Sequence, residues 1–313
     1  MRSIETIVVG TDFSPCASAG LRAVEALCRM WPVREVHVLA VVAPVVVSTP
    51  LEPVEDASAG ALAAARAQLR RLELDVGAAT LVTVAKLGSP AGQIADYAQE
   101  RQADLIVAAS HGRTGVPRAV LGSVTANLIR LSTVPVLVVP SKGGTFKESF
   151  QEVLAAVDLS AVSLPLLKEA GLWAQQGGGQ VRVLSMFETP LVATEPGELL
   201  PHYLGSAESA ALVEAYENSV RGLVKKADMP VTTHVDVVAK APAGQAVVEV
   251  AHLLDVDMVV VGTSGHSALH RWLVGSTANR VLEAAARPVL VVPRAIRAAS
   301  EEPASLAFEP AQA

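Results

Sequence analysis

The sequence predicts an α/β protein made of two tandem copies of one module, each a parallel sheet with helices on both faces. Three observations predict it: an ordered internal repeat, an alternation of short β-branched runs with helical stretches, and strands that read as unbroken apolar runs. In the repeat, Ile7-Val8-Val9-Gly10-Thr11-Asp12-Phe13-Ser14 answers to Val153-Leu154-Ala155-Ala156-Val157-Asp158-Leu159-Ser160. Val36-His37-Val38-Leu39 answers to Val181-Arg182-Val183-Leu184, and Ala103-Asp104-Leu105-Ile106-Val107 to Val256-Asp257-Met258-Val259-Val260. Each copy closes on Pro-Val-Leu-Val-Val-Pro, at Pro135–Pro140 and Pro288–Pro293. The offset stays between 145 residues (Val36 to Val181) and 153 residues (Pro135 to Pro288). Chance similarity would not hold that order and register, so the repeat marks two structural units.

Taken in order, the first copy opens with a strand near 5–11, followed by Ser14-Pro15, a cap and first-turn proline for a helix near 15–30. A strand near 35–42, an Ala-rich helix near 58–75 and a strand near 79–86 follow. Ser89-Pro90 starts a helix near 90–102, and strands near 104–109 and 135–139 flank a helix near 122–132. A run such as Leu105-Ile106-Val107-Ala108-Ala109 has no polar alternation, so both its faces are covered, as in a parallel sheet with right-handed crossovers. The second copy repeats this to about residue 293. The expected domains are 1–142 and 150–294, joined across Lys142-Gly143-Gly144-Thr145, with 295–313 a disordered tail. Residues 189–208 read as a long loop after the second strand, a lid over the site, and the Val- and Pro-rich 43–57 is its counterpart.

Composition narrows the function. Hydrophobic residues are 51% and charged residues 18%, enough apolar material for two cores and too little charge for global disorder. The net charge is -6 with no Lys/Arg cluster, which argues against nucleic acid or an anionic membrane as a general partner. Cys16 and Cys28 fall twelve residues apart in one expected helix, about 18 Å along its axis and too far for a disulfide. Structural thiols in a reducing cytoplasm are the expectation. The opening residues lack the apolar core of a signal peptide, and no run of about 18 apolar residues spans a membrane.

The chemistry concentrates at the fourth strand of each copy. In the second, Val260-Val261-Gly262 runs on as Thr263-Ser264-Gly265, then nine residues to Gly275-Ser276. Gly262 and Gly265 can take positive φ and let a ligand approach the backbone. Gly275-Ser276 begins a helix whose unpaired first amides and dipole favour an anion, and Ser276 and Thr277 add hydroxyls. Such a turn is a cradle for polyphosphate. Asp12 and Asp158 end the first strands, where a carboxylate accepts from ribose hydroxyls or holds Mg²⁺. If strands one and four are neighbours across the reversal of strand order, Asp158 and the loop share one crevice, and Ser185-Met186-Phe187 flanks a base.

The pattern Gly-x2-Gly-x9-Gly-Ser after an apolar strand, with the first-strand Asp and the Pro-Val-Leu-Val-Val ending, resembles the ATP-binding class of universal stress proteins over about residues 3–140 and 151–293. The resemblance implies flavodoxin-like (adenine nucleotide alpha hydrolase-like) domains of five parallel strands, bound ATP with Mg²⁺ as its companion, and a role in stress response as a nucleotide-dependent regulatory module. It places the nucleotide against Thr11, Asp12, Val41, Ala109, Gly112, Gly122, Ser123 and Val124 in the first copy. In the second it does so against Val157, Asp158, Met186, Gly262, Gly265, Gly275, Ser276 and Thr277. It also implies that 135–139 meets 288–292 through the fifth strands, and it leaves a homodimer open. The first copy departs once: Ala109 stands where the pattern has its first glycine. An Ala forced to positive φ would cost about 1 kcal/mol, whereas an Ala in ordinary β backbone is harmless.

Plainer readings stand beside these. The glycine loops can be strand-to-helix turns, and Asp12 and Asp158 can cap Asp-x-Ser turns without excluding a ligand. His111 and His266 read as hydrogen-bonding loop residues. His266 and His270 have metal-like spacing but no accompanying Cys or HExxH. Arg113, Arg118 and Arg271 can reach phosphates or solvate a surface. The sequence contains no Gly-x4-Gly-Lys-Ser/Thr, no Gly-x-Gly-x-x-Gly after the first strand and no Gly-x-Ser-x-Gly elbow, and no activated nucleophile stands out. The residues suit holding rather than fast chemistry. A binding module is the first expectation, and a slow ATPase or a ligand-free interaction protein the alternatives.

Overall fold

The computed structural model of the chain describes residues 3–44, 54–111, 121–141, 146–186, 191–195, 198–201, 206–238, 242–263 and 275–294. The first half runs β1 (Thr6–Thr11), α1 (Ala17–Met30), β2 (Glu35–Val42), α2 (Val54–Arg70), β3 (Thr80–Leu87), α3 (Pro90–Glu100), β4 (Leu105–Ala109), α4 (Ser123–Leu131) and β5 (Val136–Val139). The second runs β6 (Glu152–Val157), α5 (Ser163–Gly177), β7 (Gln180–Met186), β8 (Leu191–Glu195), β9 (Glu198–Pro201), α6 (Ser206–Ala227), β10 (Thr233–Val238), α7 (Ala243–Leu253), β11 (Met258–Gly262), α8 (Ser276–Ala284) and β12 (Val289–Val292).

One ten-stranded sheet has the order β10-β7-β6-β11-β12-β5-β4-β1-β2-β3. Strands are parallel within each half, and order reverses twice: β1 lies between β2 and β4, and β6 between β7 and β11. At the join β12 runs antiparallel to β5, pairing Val289 with Val138, Leu290 with Leu137 and Val291 with Val136. The unbroken apolar strands are explained by burial on both faces. Ile7, Val9, Leu137 and Leu290 face one core with α1 and α5. Val8, Val136, Val138 and Val291 face the other with α3, α4, α7 and α8. Each core continues across the join.

The mapped helices differ from expectation at their ends. α2 starts at Val54, four residues earlier than expected, because its Ala-rich run sustains the helix. It stops at Arg70, where residues 71–79 turn and Asp75 Oδ1 accepts from the amide of Gly77, itself at φ +59°. Residues 54–57 of the expected loop are therefore helical. Residues 189–208 are not one long loop either: β8 and β9 pair as an antiparallel hairpin, and α6 begins at Ser206. The β-branched and leucine content of 191–201 favours strand pairing over an open loop. Pro15 does open a helical turn, and Ser14 Oγ accepts from the Ala17 amide at 3.2 Å. Ser89 precedes Pro90 as the cap residue, but its side chain makes no cap hydrogen bond. Residues 142–145 and 295–313 lie outside the described residues.

An aromatic chain ties the halves together. Trp31 after α1 meets Trp173 of α5 edge-on at 5.7 Å, Trp173 meets Phe150 at 5.2 Å, and Phe150 meets Phe146 at 5.7 Å. Phe150, which leads into β6, is completely buried. Gly177 and Gly179 make room for it: a Cβ on either would fall on the backbone of Phe150 or Gln151. Glu148 pairs with Arg29 at 2.7 Å.

Candidate functional site

The reversal of strand order puts the C-terminal ends of β1 and β4 side by side, and likewise β6 and β11. At the first-strand ends the two copies bend alike. Thr11 Oγ1 accepts from the Phe13 amide, and Asp12 Oδ1 from the Ser14 amide, both at 3.0 Å. Asp158 Oδ1 accepts from the Ser160 amide at 3.0 Å and from Ser163 Oγ at 3.1 Å. The residue after each Asp is left-handed: Phe13 has φ 61° and Leu159 φ 60°. That conformation costs a bulky residue about 1–2 kcal/mol. Both side chains pack against the core, which offsets the strain. The capping reading of the two Asp residues is therefore observed, and it accounts for one carboxylate oxygen of each.

The fourth-strand loops close identically. The Gly122 amide donates to the Ser110 carbonyl at 2.9 Å, and the Gly275 amide to the Thr263 carbonyl at 2.8 Å. Gly122 (φ -57°) and Gly275 (φ -58°) are the N-caps of α4 and α8, and having no side chain they give no cap hydrogen bond. The amides of Ser123 and Val124, and of Ser276 and Thr277, thus begin their helices uncapped, with Ser123, Val124 and Ser276 exposed. Thr125 Oγ1 donates to the Ala109 carbonyl at 2.8 Å; Ala278 stands at that place in the second copy.

The first glycine is explained by packing. Gly262 is not left-handed; a Cβ there would meet Val162 Cγ1 at 2.6 Å. Ala109 ends β4 in register with Val139, in ordinary strand backbone. The residue equivalent to Val162 in the first copy is Cys16. The smaller Cys16 accompanies the larger Ala109, and the larger Val162 accompanies Gly262. The expected positive φ at Gly262 is not observed.

The structure brings Thr11, Asp12, Ala109, Gly122, Ser123 and Val124 to the strand ends of the first half of the sheet, and Val157, Asp158, Gly262, Gly275, Ser276 and Thr277 to the matching strand ends of the second half. Val41 and Met186 end the neighbouring strands, both partly buried against the same core. Met186 also gives its carbonyl to Tyr216 Oη at 3.2 Å, and the Val157 carbonyl accepts from Ser185 Oγ at 2.8 Å. Gly112 and Gly265 lie outside the described residues, as do Arg113, Arg118, His266, His270 and Arg271. Among the described residues no three His, Cys, Asp or Glu side chains gather as a metal site.

Two features at these strand ends went unread in the sequence. Ser110 Oγ, His111 Nδ1 and Ser141 Oγ form a cluster, with Ser110 Oγ 3.0 Å from Nδ1 and 3.1 Å from Ser141 Oγ. The His111 amide donates to Ser141 Oγ at 3.1 Å. In addition, His111 Nε2 and Ser160 Oγ are buried without a hydrogen-bond partner among the described residues. Buried polar atoms of this kind are costly to leave unmade. Sequence spacing held no sign of Ser141, which reaches the loop from the far end of β5.

A profile of the universal stress protein family matches residues 3–140 and again 149–293. A universal stress protein of Mycobacterium tuberculosis is 23% identical over 201 residues, 63% of this chain and 67% of its own length. One from Methanocaldococcus jannaschii is 31% identical over 146 residues, 46% of this chain and 82% of its own. The crystal structure of a universal stress protein from Archaeoglobus fulgidus covers 94% of this chain and 100% of its own, with a TM-score of 0.67 and 18% identity, a likeness of fold. No described helix is long and apolar enough to cross a membrane. With two consecutive family matches lying over two halves of one sheet that reverse alike, this chain belongs to the universal stress protein family and carries two tandem copies of its domain.

Proposed function

We propose that the chain is a nucleotide-dependent binding module of the stress response that takes ATP or a related adenine nucleotide at the strand ends of each domain. The observation that carries this is the pairing, at each reversal, of a first-strand carboxylate with an uncapped helix N-terminus: Asp12 with Gly122-Ser123, and Asp158 with Gly275-Ser276. Uncapped amides suit phosphate oxygens, and Asp12 and Asp158 suit a ribose or the hard Mg²⁺ that accompanies a triphosphate. The orphaned Ser160 hydroxyl fits a ligand partner at the second site. Val41 and Met186 supply apolar surface for a base. Ala109 in strand backbone gives no reason to disable the first site, so two sites are proposed. The proposed domains are 1–142 and 150–294, held as a pair through β5 and β12, and the two free cysteines suit a reducing cytoplasm.

Equilibrium dialysis with labelled ATP and Mg²⁺ tests this. The expected result is two nucleotides per chain. Asp158→Ala is expected to remove one of them, and denaturation of the purified protein to release an adenine nucleotide identified by mass. Failure of the native chain to bind at about millimolar ATP, a concentration matching a weak −4 kcal/mol site, overturns the reading.

A further inference from the structure

We propose that the joint between the domains holds a separate ligand site, a cleft that takes a small phosphorylated anion. The cleft has a volume of about 260 Å³ and is walled by Arg22 of α1, Ser141 beyond β5, Phe146 and Lys147 leading into β6, Asp257 before β11 and Arg287 before β12. Pockets for drug-sized ligands begin near ~300 Å³, so the fitting ligand is smaller than a nucleotide. Three cations face one carboxylate, and that carboxylate is already engaged. Asp257 Oδ2 accepts from the Gln151 and Glu152 amides at 2.8 and 3.1 Å, and Oδ1 takes Lys147 Nζ. Arg287 gives Nη2 to Asp255, an exposed partner outside the cleft wall. Arg22 is exposed at the rim of the cleft and makes no hydrogen bond or ion pair with any described residue. Two guanidinium forks with unused N–H groups around one cavity match the oxygens of a phosphate or diphosphate.

The arrangement is specific to this side of the join. Under the internal repeat, Lys168 corresponds to Arg22, Val134 to Arg287 and Asp104 to Asp257, while Lys147 comes from the segment joining the two domains. The other side therefore has no guanidinium at the places of Arg22 and Arg287, and carries Arg294 where this side has Ser141. The site meets the strand-end cluster of the first domain at Ser141, but none of its walls belongs to the helix N-termini of α4 or α8.

The test is calorimetric titration of the full chain with inorganic pyrophosphate, each variant checked by thermal unfolding. Arg22→Gln and Arg287→Gln are each expected to weaken binding about tenfold, the loss of one charge-assisted contact. Arg22→Lys keeps the charge without the fork and is expected to fall between. Lys168→Gln, at the corresponding place in the second domain, is expected to bind as the native chain does. No binding by the native chain, or native affinity in Arg22→Gln, overturns the proposal. Loss of binding in Ser123→Ala or Ser276→Ala, with the arginine variants unaffected, also overturns it, and would leave the nucleotide reading standing.

Discussion

Gly262 has no side chain because Val162 occupies the space where one would begin. Gly262→Ala is expected to destabilise the chain by about 1–3 kcal/mol through overpacking. Adding Val162→Cys, which recreates the Cys16 and Ala109 pair of the first copy, should recover most of that loss. Chemical denaturation of the two single variants and the double checks it; additive losses would contradict the packing account. At Cys28 the chemistry is set by burial first, with Asp75 adding to it: the thiol is pushed up from 9.0 to about 11. The neutral thiol is thus favoured in the folded chain. Its contribution is fully present below pH 9 and is lost as pH rises towards 11, when the unfolded chain ionises first. Alkylation of Cys28 in the native chain should stay slow at pH 8 to 9 and rise steeply only near 11. Fast modification at pH 8 would contradict this. The role of Asp104 and Asp257 was hidden in plain sight in the repeat. Each pins the start of the first strand, Asp104 Oδ2 taking the Glu5 and Thr6 amides at 2.9 and 3.0 Å. Their recurrence was legible, but their partners about a hundred residues away were not.

At the scale of elements, α4 and α8 present uncapped N-termini, and what stabilises such an end without ligand competes with what binds there. Ser276→Asp places a negative charge in the first turn of α8. It is expected to stabilise the free chain by ~0.3–1 kcal/mol through the helix dipole. The same charge repels phosphate, so ATP affinity at the second site should fall at least about tenfold, or 1.4 kcal/mol. Thermal unfolding and equilibrium dialysis read the two effects; a rise in both stability and affinity would contradict the assignment of that end to phosphate. Strand positions were legible because apolar runs buried on both faces leave a clear sequence mark. The ends of α2 and the pairing of β8 with β9 were not, since a run that holds Pro196 and Gly197 reads as a loop.

At the scale of the molecule, the halves share cores on both sheet faces and meet through Trp31, Phe146, Phe150 and Trp173. Phe150→Ala is expected to cost about 3–5 kcal/mol, the range for emptying a large aromatic site. It should lower a single unfolding transition rather than split it, because the cavity opens between the halves. Two separated transitions by circular dichroism, with one at the native midpoint, would contradict a shared core. The sequence by itself determined the repeat, the order of strands and helices apart from β8 and β9, and the parallel character of each half of the sheet, because apolar period, capping residues and glycine spacing are local properties of the chain. Only the tertiary structure decided why Gly262 is glycine, why Ala109 is tolerated, that Ser141 reaches His111, and that three cations gather at the joint. Each of these depends on which distant backbone or side chain arrives at one point in space, and no local pattern records it.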